Sequence, residues 1–580
     1  MLFQLTAQKI YSPDLGFHLA ADRWMQHNGG FPPQTDPFTA LGKDRAYVDL
    51  HWGYQKILGA VYRMGGFEGL FWMQGLLLLA ALAWVLVRAQ TKPGRWPAVL
   101  PFLLLLGIPL LGSEPRPHAL SWVFLGAMLW VLERLWKGDF KHWFWIPLIA
   151  LLWANTHSLY ILGWVAQIAY IAGARLKGQP IPKPIWMALV GTVLASVLTP
   201  YGLQGLWYPW EQFGLISSGL KKEYIGEFQS PLTLSELKMY GWGYVFYPLF
   251  WGQLLAALAV VSAVFEARAK RYEHSLLLLG FVLIWSLGVK NFGYFFFAAI
   301  PLMSRSLDTL MTEAPKGWLP RMLQGVSRPL GWGMIGVAAL LIGRSAQNNG
   351  YAHAIRSPHT HGQGADSLQL PLGAAAFIAQ NVPEARLINP VDFGGTFDFF
   401  QPHRVHIDGR MEIWSEADFS DYAASLKDPA KAQRYFNKYQ PTLAAFPYLK
   451  TTGWWGYLIN NPEWKLVYVD GLAAVYALRT AHPELAERLP ERQGPPTQEA
   501  ISTMQTLSVQ DPPGRAEAWF RSLGKPLNQA TDQAHLSMFW LSRGEVSQGL
   551  HHMIECAQNA DVPPESVYEN WAVLKRELSR

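Results

Sequence analysis

The amino-acid sequence predicts an α-helical polytopic membrane protein of about ten spans, followed by a soluble α/β domain and an all-helical tail. Three observations carry that expectation. Half of the 580 residues are hydrophobic and only 16% are charged, which leans away from an ordinary soluble chain. The mean hydropathy of +0.07 averages two unlike parts. Residues 347–580 hold 20 basic and 25 acidic side chains, whereas residues 1–346 hold 28 basic and 17 acidic ones, so the basic excess belongs to the apolar part. Within that part the basic residues fall in alternate loops. They read as cytoplasmic loops rather than as a nucleic-acid surface, and no nucleic-acid partner is expected.

The spans come first. Apolar runs cover Leu70–Val87, Trp96–Gly112, Ala119–Leu132, Trp143–Ala154, Leu159–Ala174, Pro184–Leu198, Tyr244–Phe265, Leu276–Val289, Phe292–Met303 and Leu330–Gly343. Several fall short of the roughly 20 residues a straight span needs, so their flanks contribute or some runs are re-entrant. Arg88, Lys92 and Arg95 follow the first run, and Arg134, Lys137 and Lys141 the third. Arg175, Lys177 and Lys183 follow the fifth, Arg268, Lys270 and Arg271 the seventh, and Arg305, Lys316, Arg321 and Arg328 the ninth. The positive-inside rule makes these loops cytoplasmic and puts both termini on the other side. Many of the 27 tryptophans flank apolar runs, as interfacial belts do. Met1–Ser12 lacks the basic start and apolar core of a cleavable signal peptide. The single cysteine, Cys556, excludes intrachain disulfides and Cys-based metal sites.

Four units follow from this layout: 1–69 as an outer segment, 70–346 as the membrane domain, 347–480 as a soluble α/β domain, and 481–580 as a helical tail. In the first, Asp14–His27 and Tyr47–Arg63 read as amphipathic helices in the interface, with Phe17, Trp24, Trp52, Tyr54, Ile57 and Val61 toward lipid. A further outer loop spans Thr199–Trp242. In the soluble domain, short β runs fall at Arg386–Ile388, Val405–Ile407, Leu443–Phe446, Lys465–Val469 and Ala473–Ala477. After a Pro-rich break at Gly494–Pro496, His535–Arg543 and Glu545–Asn559 have the spacing of a helical hairpin, as in a degenerate tetratricopeptide-like unit.

The chemistry-bearing residues gather on the outer face. In "SPDLGFHL", Asp14 precedes a helix with His18 one turn on; spacing alone favours a helix N-cap, and the same carboxylate suits a general base or an acceptor-orienting group, roles that can coincide. Asp36 in "TDPF" is most simply a turn residue, and His51 in "DLHW" an interfacial histidine without a partner. Arg116 in the rigid turn "SEPRPH" defies the positive-inside bias, so it either binds a lipid phosphate or snorkels. "WANTHS" adds Asn155 and His157, "IGEFQSP" adds Glu227 and Gln229, and "VKNFGY" adds Lys290 and Asn291. Their convergence is what an active site at a membrane surface needs. No HExxH, no cysteine pair, no D-x-D in the first outer segment and no Walker motif is present, and "DFGGTF" is too loose for a nucleotide loop.

Taken in order, these segments resemble a bacterial membrane protein family of the C-type (GT-C) glycosyltransferase superfamily. The matches are Asp14-Leu15-Gly16-Phe17-His18-Leu19, Asp36-Pro37-Phe38, His51-Trp52, Arg116-Pro117, Trp153-Ala154-Asn155-Thr156-His157, Pro200-Tyr201-Gly202 and Glu227-Phe228-Gln229-Ser230-Pro231. In the soluble domain they are Gly394-Gly395, Asp408-Gly409-Arg410 and Trp464 leading into Val467-Tyr468. The resemblance implies transfer of sugar from a polyprenyl-phosphate-linked donor on the extracytoplasmic face of a bacterial inner membrane. It implies Asp14, with His18 and Asp36, at the catalytic end, and Arg116, Lys290 and His157 on the donor phosphate. His51, Asn155, Glu227, Gln229 and Asn291 would line the substrate site. The chain departs from the family twice. Met1–Ser12 is too short for the membrane helix that normally comes first, and Gly16 replaces an aromatic, which is expected to loosen the helix behind Asp14.

Two functions from different classes therefore stand beside each other. One is the lipid-linked-sugar glycosyltransferase; the other is an inactive membrane scaffold recruiting envelope proteins through residues 347–580. A transporter fits less well, because the predicted spans lack buried ionisable residues. Expected partners are membrane lipid and the lipid-linked donor, with no cofactor firmly implied and a divalent metal left open.

Overall fold

The computed structural model describes residues 9–89, 114–216, 219–233, 247–313, 361–400, 404–486, 498–506 and 515–561, with scattered positions within 235–244, 333–350 and 564–571. The run Trp96–Gly112, most of Leu330–Gly343 and the break at Gly494–Pro496 lie outside these residues.

The chain opens with helix α1 (Leu15–His27), then α2 (Trp52–Ala89), α3 (Pro117–Trp136), α4 (Trp145–Ala154), α5 (Ile161–Leu176), α6 (Lys183–Val197) and α7 (Gly202–Ile216). A short α8 (Gly219–Tyr224) leads to α9 (Pro248–Arg268), α10 (Tyr272–Ser286) and α11 (Phe292–Glu313). Among the described residues, α2, α3, Ser158–Leu176 and Leu249–Arg268 are long and apolar enough to cross a membrane. Helices α6 and α7 pass the same test as a pair bent by 96°. The protein is thus a membrane protein. Pro117 and Pro248 start α3 and α9, where a missing N–H costs nothing and the fixed φ suits the first turn. In α2 the chain kinks at Gly66, whose φ of 57° favours glycine. Helix α11 is the hub: Phe292 and the run Tyr294–Ile300 are buried on every side, with Trp285 of α10 stacked on Phe295 at 5.5 Å. A helix apolar all round belongs inside a bundle.

Two expectations about this bundle change. Thr199–Trp242 is not a plain loop, since α7 lies in it nearly at right angles to α6 and exposes Leu203, Trp207 and Phe213. The helices also do bury ionisable groups. Arg88 donates to Glu133 Oε1 (3.1 and 3.2 Å) and to the Phe297 carbonyl (2.9 Å), and Arg305 reaches the same Oε1 at 3.1 Å. Glu266 similarly collects Arg271, His274 and Ser306. In sequence these charges read as loop flanks; in the fold they pair with one another at the end of α3 far from Arg116.

The C-terminal region expected to be soluble, called the soluble region below, is built on a four-stranded sheet of β1 (Leu387–Ile388), β2 (Leu443–Phe446), β3 (Trp464–Val469) and β4 (Ala474–Leu478), in the order β1-β2-β4-β3. β1 runs parallel to β2 and the other pairs are antiparallel. Helices α12 (Leu372–Asn381), α13 (Val391–Phe400), α14 (Glu416–Ser425), α15 (Pro429–Tyr439) and α16 (Thr452–Ile459) surround it. Ser415 and Asp428 cap α14 and α15 through the N–H groups of Asp418 and Ala430 (3.1 and 2.8 Å). The tail contributes a hairpin, α17 (Thr531–Ser542) and α18 (Val546–Asn559), which packs Phe539 on Tyr448 and Trp455 with ring centroids 4.7 Å apart.

The expected strand Val405–Ile407 does not join the sheet. Val405 instead bridges Thr39, and Ile10 bridges Ala365, so the first segment is stitched to the soluble region. Helix α1 is accordingly not an interfacial helix. Phe17, His18, Leu19, Ala20, Ala21 and Met25 are buried on several of its faces, and Tyr54 of α2 is buried with them, while Ile57 alone of the expected lipid-facing residues is well exposed. Gly16 explains the contact. A Cβ there would collide with the carbonyl of Gly395, and a Cβ on Gly395 would collide with that of Pro13. Gly16 therefore lets α13 press directly on α1 rather than loosening it. Arg23 completes the join by donating to the Asp398 and Phe399 carbonyls at the C-terminus of α13 (3.0 and 2.8 Å).

Candidate active site

Where α1, the N-terminal ends of α3 and α11, helix α7 and the soluble region meet, the chain encloses a cavity of about 430 Å³. Eight of the eleven sequence-predicted residues line it: Asp14, His18, His51, Arg116, His157, Glu227, Lys290 and Asn291.

Asp14 occupies the N-cap position of α1, yet its side chain makes no capping hydrogen bond. Its Oδ2 instead faces Arg116 Nη2 at 3.4 Å, and Gly409 of the soluble region lies so close that a Cβ there would meet Asp14 Oδ1. Burial raises the Asp14 carboxyl above the usual range despite Arg116. Arg116 neither snorkels nor stands free. It forks onto both oxygens of Glu227 at 2.9 Å, contacts Glu114 and donates to Ser12 Oγ at 3.1 Å. Three carboxyl groups thus share one guanidinium. Burial pushes Glu114 up to about 7, whereas Arg116 outweighs burial at Glu227 and holds it low.

Lys290 sits in the tight turn Val289–Asn291, with Nζ 4.0 Å from the centre of the Phe228 ring. Among the described residues it forms no ion pair, and burial lowers it to about 8. Asn291 steadies the turn by donating to the Ile284 carbonyl at 3.0 Å.

Four histidines run along one wall. Ring centroids are 5.7 Å apart for His18–His51, 5.3 Å for His51–His157 and 4.7 Å for His157–His118. His157 Nδ1 lies 2.7 Å from Ser121 Oγ, and His118 Nδ1 lies 2.8 Å from the Tyr294 hydroxyl. Burial lowers His18 and His157 well below the ordinary imidazole range, so both are neutral. They form a row rather than a chelate. Among the described residues the one trio with ligand atoms within 4.8 Å is His551, His552 and Glu555, on α18 away from the cavity.

Three predicted residues stand elsewhere. Asp36 is buried, accepts the Phe38 N–H at 3.0 Å and pairs with Arg410 at 2.8 Å, which makes it a turn-and-bridge residue outside the cavity lining. Asn155 accepts from Trp52 Nε1 at 3.1 Å and donates to the Leu151 and Leu198 carbonyls at 2.9 Å, tying α2 to α4 and α6. Gln229 is exposed and donates to the Glu223 carbonyl at 3.2 Å; its backbone alone serves the site, accepting from Val289 N–H at 3.0 Å.

Sequence reading missed His118, Arg410, Glu412 and Trp210, all of which line the cavity. Arg410 is buried, pairs with Asp408 and Asp36, and is flanked by the rings of Tyr47 (4.9 Å) and Phe38 (5.0 Å). The signals were present: His118 closes "SEPRPH", and Asp408-Gly409-Arg410 lies just before Glu412. What was missing was the knowledge that the soluble region folds back over the membrane helices.

No protein-family model matches the sequence, and no curated protein matches it. The apo oligosaccharyltransferase of Archaeoglobus fulgidus superposes with a TM-score of 0.50 at 12% identity, over 94% of this chain and 82% of that one. The fold is GT-C-like. Two structures of ArnT from Cupriavidus metallidurans, bound to undecaprenyl phosphate and apo, align at TM-score 0.43, with 12% and 16% identity. Each alignment spans 84% of this chain and 97% of ArnT.

Proposed function

We propose that this GT-C-like protein transfers a sugar from a polyprenyl-phosphate-linked donor to an acceptor, in the cavity between its membrane helices and its soluble region, on the extracytoplasmic face of a bacterial inner membrane. One observation carries the reading. The same cavity has an apolar flank of Ile161 and Leu162 on α5 with Ile284 and Leu287 at α10, and a charged end holding Asp14, Arg116, Glu227 and Lys290. That combination suits a ligand with a hydrocarbon tail and a phosphate head. Sharing a fold with an oligosaccharyltransferase supports it.

Bond cleavage turns the donor's phosphodiester into a phosphomonoester, so negative charge grows on the phosphate oxygen. Lys290, which forms no ion pair among the described residues, stabilises that growing charge. Arg116 is already matched by carboxylates and acts by holding Asp14 and Glu227 in place. Asp14 orients the acceptor. The test is to incubate the purified full chain with radiolabelled polyprenyl-phosphate sugars and membrane extract, beside Asp14→Asn and Arg116→Ala. Transfer by the parent that collapses in Asp14→Asn supports the reading. No consumption of any donor by a well-folded sample would leave the inactive scaffold, and pull-down of envelope partners through residues 347–580 would follow.

A further inference from the structure

Asp14 is engaged by Arg116, which leaves open where the acceptor's proton goes. A second carboxylate, Asp49, lies fully buried beside the histidine row. Its Oδ1 accepts the backbone N–H of His51 at 3.0 Å and lies 3.4 Å from His51 Nδ1, while its Oδ2 accepts from Gln55 Nε2 at 2.8 Å. Its own N–H donates to the Tyr201 hydroxyl at 3.0 Å, and that hydroxyl donates to the Pro33 carbonyl at 2.9 Å. Asp49 is therefore fixed in position and direction. Burial alone would raise it, but His51 and Gln55 together keep it below the usual carboxylate range. An ionised carboxylate against Nδ1 places the imidazole proton there and leaves the lone pair on Nε2. Among the described residues Nε2 has no hydrogen-bond partner, and His51 lines the cavity.

We infer that His51, oriented by Asp49, is the base that takes the acceptor's proton, an assignment that rests on the sugar-transfer reading above. As the acceptor hydroxyl oxygen bonds to the sugar's anomeric carbon, its proton passes to His51 Nε2. The bond from that carbon to the donor phosphate breaks, and its electron pair leaves on the phosphate oxygen. The imidazolium formed faces Asp49 and later releases its proton to water. The groups facing His51 are His18 from α1, His157 and His118 from the membrane helices, and Glu412 from the soluble region. The first two are neutral, and burial raises Glu412, so Asp49 is the ionised partner at Nδ1. Asp14 then orients the acceptor without having to deprotonate it.

The experiment uses the full chain in nanodiscs with whichever radiolabelled polyprenyl-phosphate sugar the parent consumes, and measures donor affinity and transfer separately. His51→Ala is expected to cut transfer about a hundredfold or more while donor affinity stays within about twofold. Added imidazole restores part of the rate, since the cavity is large enough to admit it. His51→Gln keeps the polar shape and loses the acid-side fall in the rate–pH profile, and Asp49→Asn slows transfer at least about tenfold. If His51→Ala is not rescued by imidazole, or His51→Gln keeps the parent's acid limb, His51 is not the base while the transfer function stands. A parent that consumes no donor overturns both.

Discussion

Lys290 offers a quantitative handle on the proposed donor site. With its ammonium lowered to about 8, roughly 90% of the side chain is charged at pH 7 and roughly 10% at pH 9. A polyprenyl-phosphate sugar is a phosphodiester, so its own charge stays at −1 across that window. If its phosphate contacts the charged lysine, donor affinity must fall about tenfold between pH 7 and pH 9. The sign follows from linkage: the bound anion favours protonated Lys290, so binding takes up a proton above pH 8 and weakens as pH rises. A lysine at its ordinary value would leave affinity flat over the same range. Lys290→Arg supplies a cation that does not titrate here and removes the pH dependence, although it fits the Phe228 face differently. Lys290→Met gives weak binding throughout. Donor affinity measured in nanodiscs from pH 6.5 to 9.5 reads all three. A flat profile for the parent, or the same tenfold fall in Lys290→Arg, refutes the assignment.

Three further outcomes follow from other contacts. Gly16→Ala forces α1 and α13 apart and is expected to destabilise the chain by about 1–3 kcal/mol in thermal unfolding; because Asp14 shifts with α1, transfer should fall by up to about a hundredfold. Arg88→Met leaves Glu133 buried against Arg305 alone and should cost about 3–5 kcal/mol of stability, visible as a lower melting midpoint in detergent. Glu114 is raised to about 7 from an unfolded value near 4.5, so the native state loses stability as pH rises from about 4.5 to 7. Glu114→Gln should therefore gain stability relative to the parent at pH 8 and show little gain at pH 4.

Much of the membrane half was legible because hydropathy and basic flanks are local signals. Eight of the described helices can be read against apolar runs, and the charged end of the cavity was reached from outer turns alone. What escaped reading depends on contacts far apart in sequence. Asp14 looks like an N-cap until Arg116, about a hundred residues later, is seen to hold it. Asp36 reads locally as a turn residue, and its pairing with Arg410 some 370 residues later is invisible to that reading. His51 looks unpartnered because a carboxylate two residues away becomes a partner only when Gln55 and Tyr201 aim it. Gly16 looks like a weakness in a helix because propensity is local, whereas the carbonyl of Gly395 that requires it comes from the soluble region. Helix α7 was hidden by Pro209, which helical patterning treats as a break.

The proposed function places the donor's phosphate in the cavity between membrane helices and soluble region. A cryo-EM structure of the full chain in nanodiscs, saturated with a polyprenyl-phosphate sugar, tests it most directly. Phosphate density is expected in contact with Lys290 Nζ, with the hydrocarbon chain running past Leu162 and Leu287. Phosphate density outside the cavity, or an empty cavity at saturating donor, would contradict it.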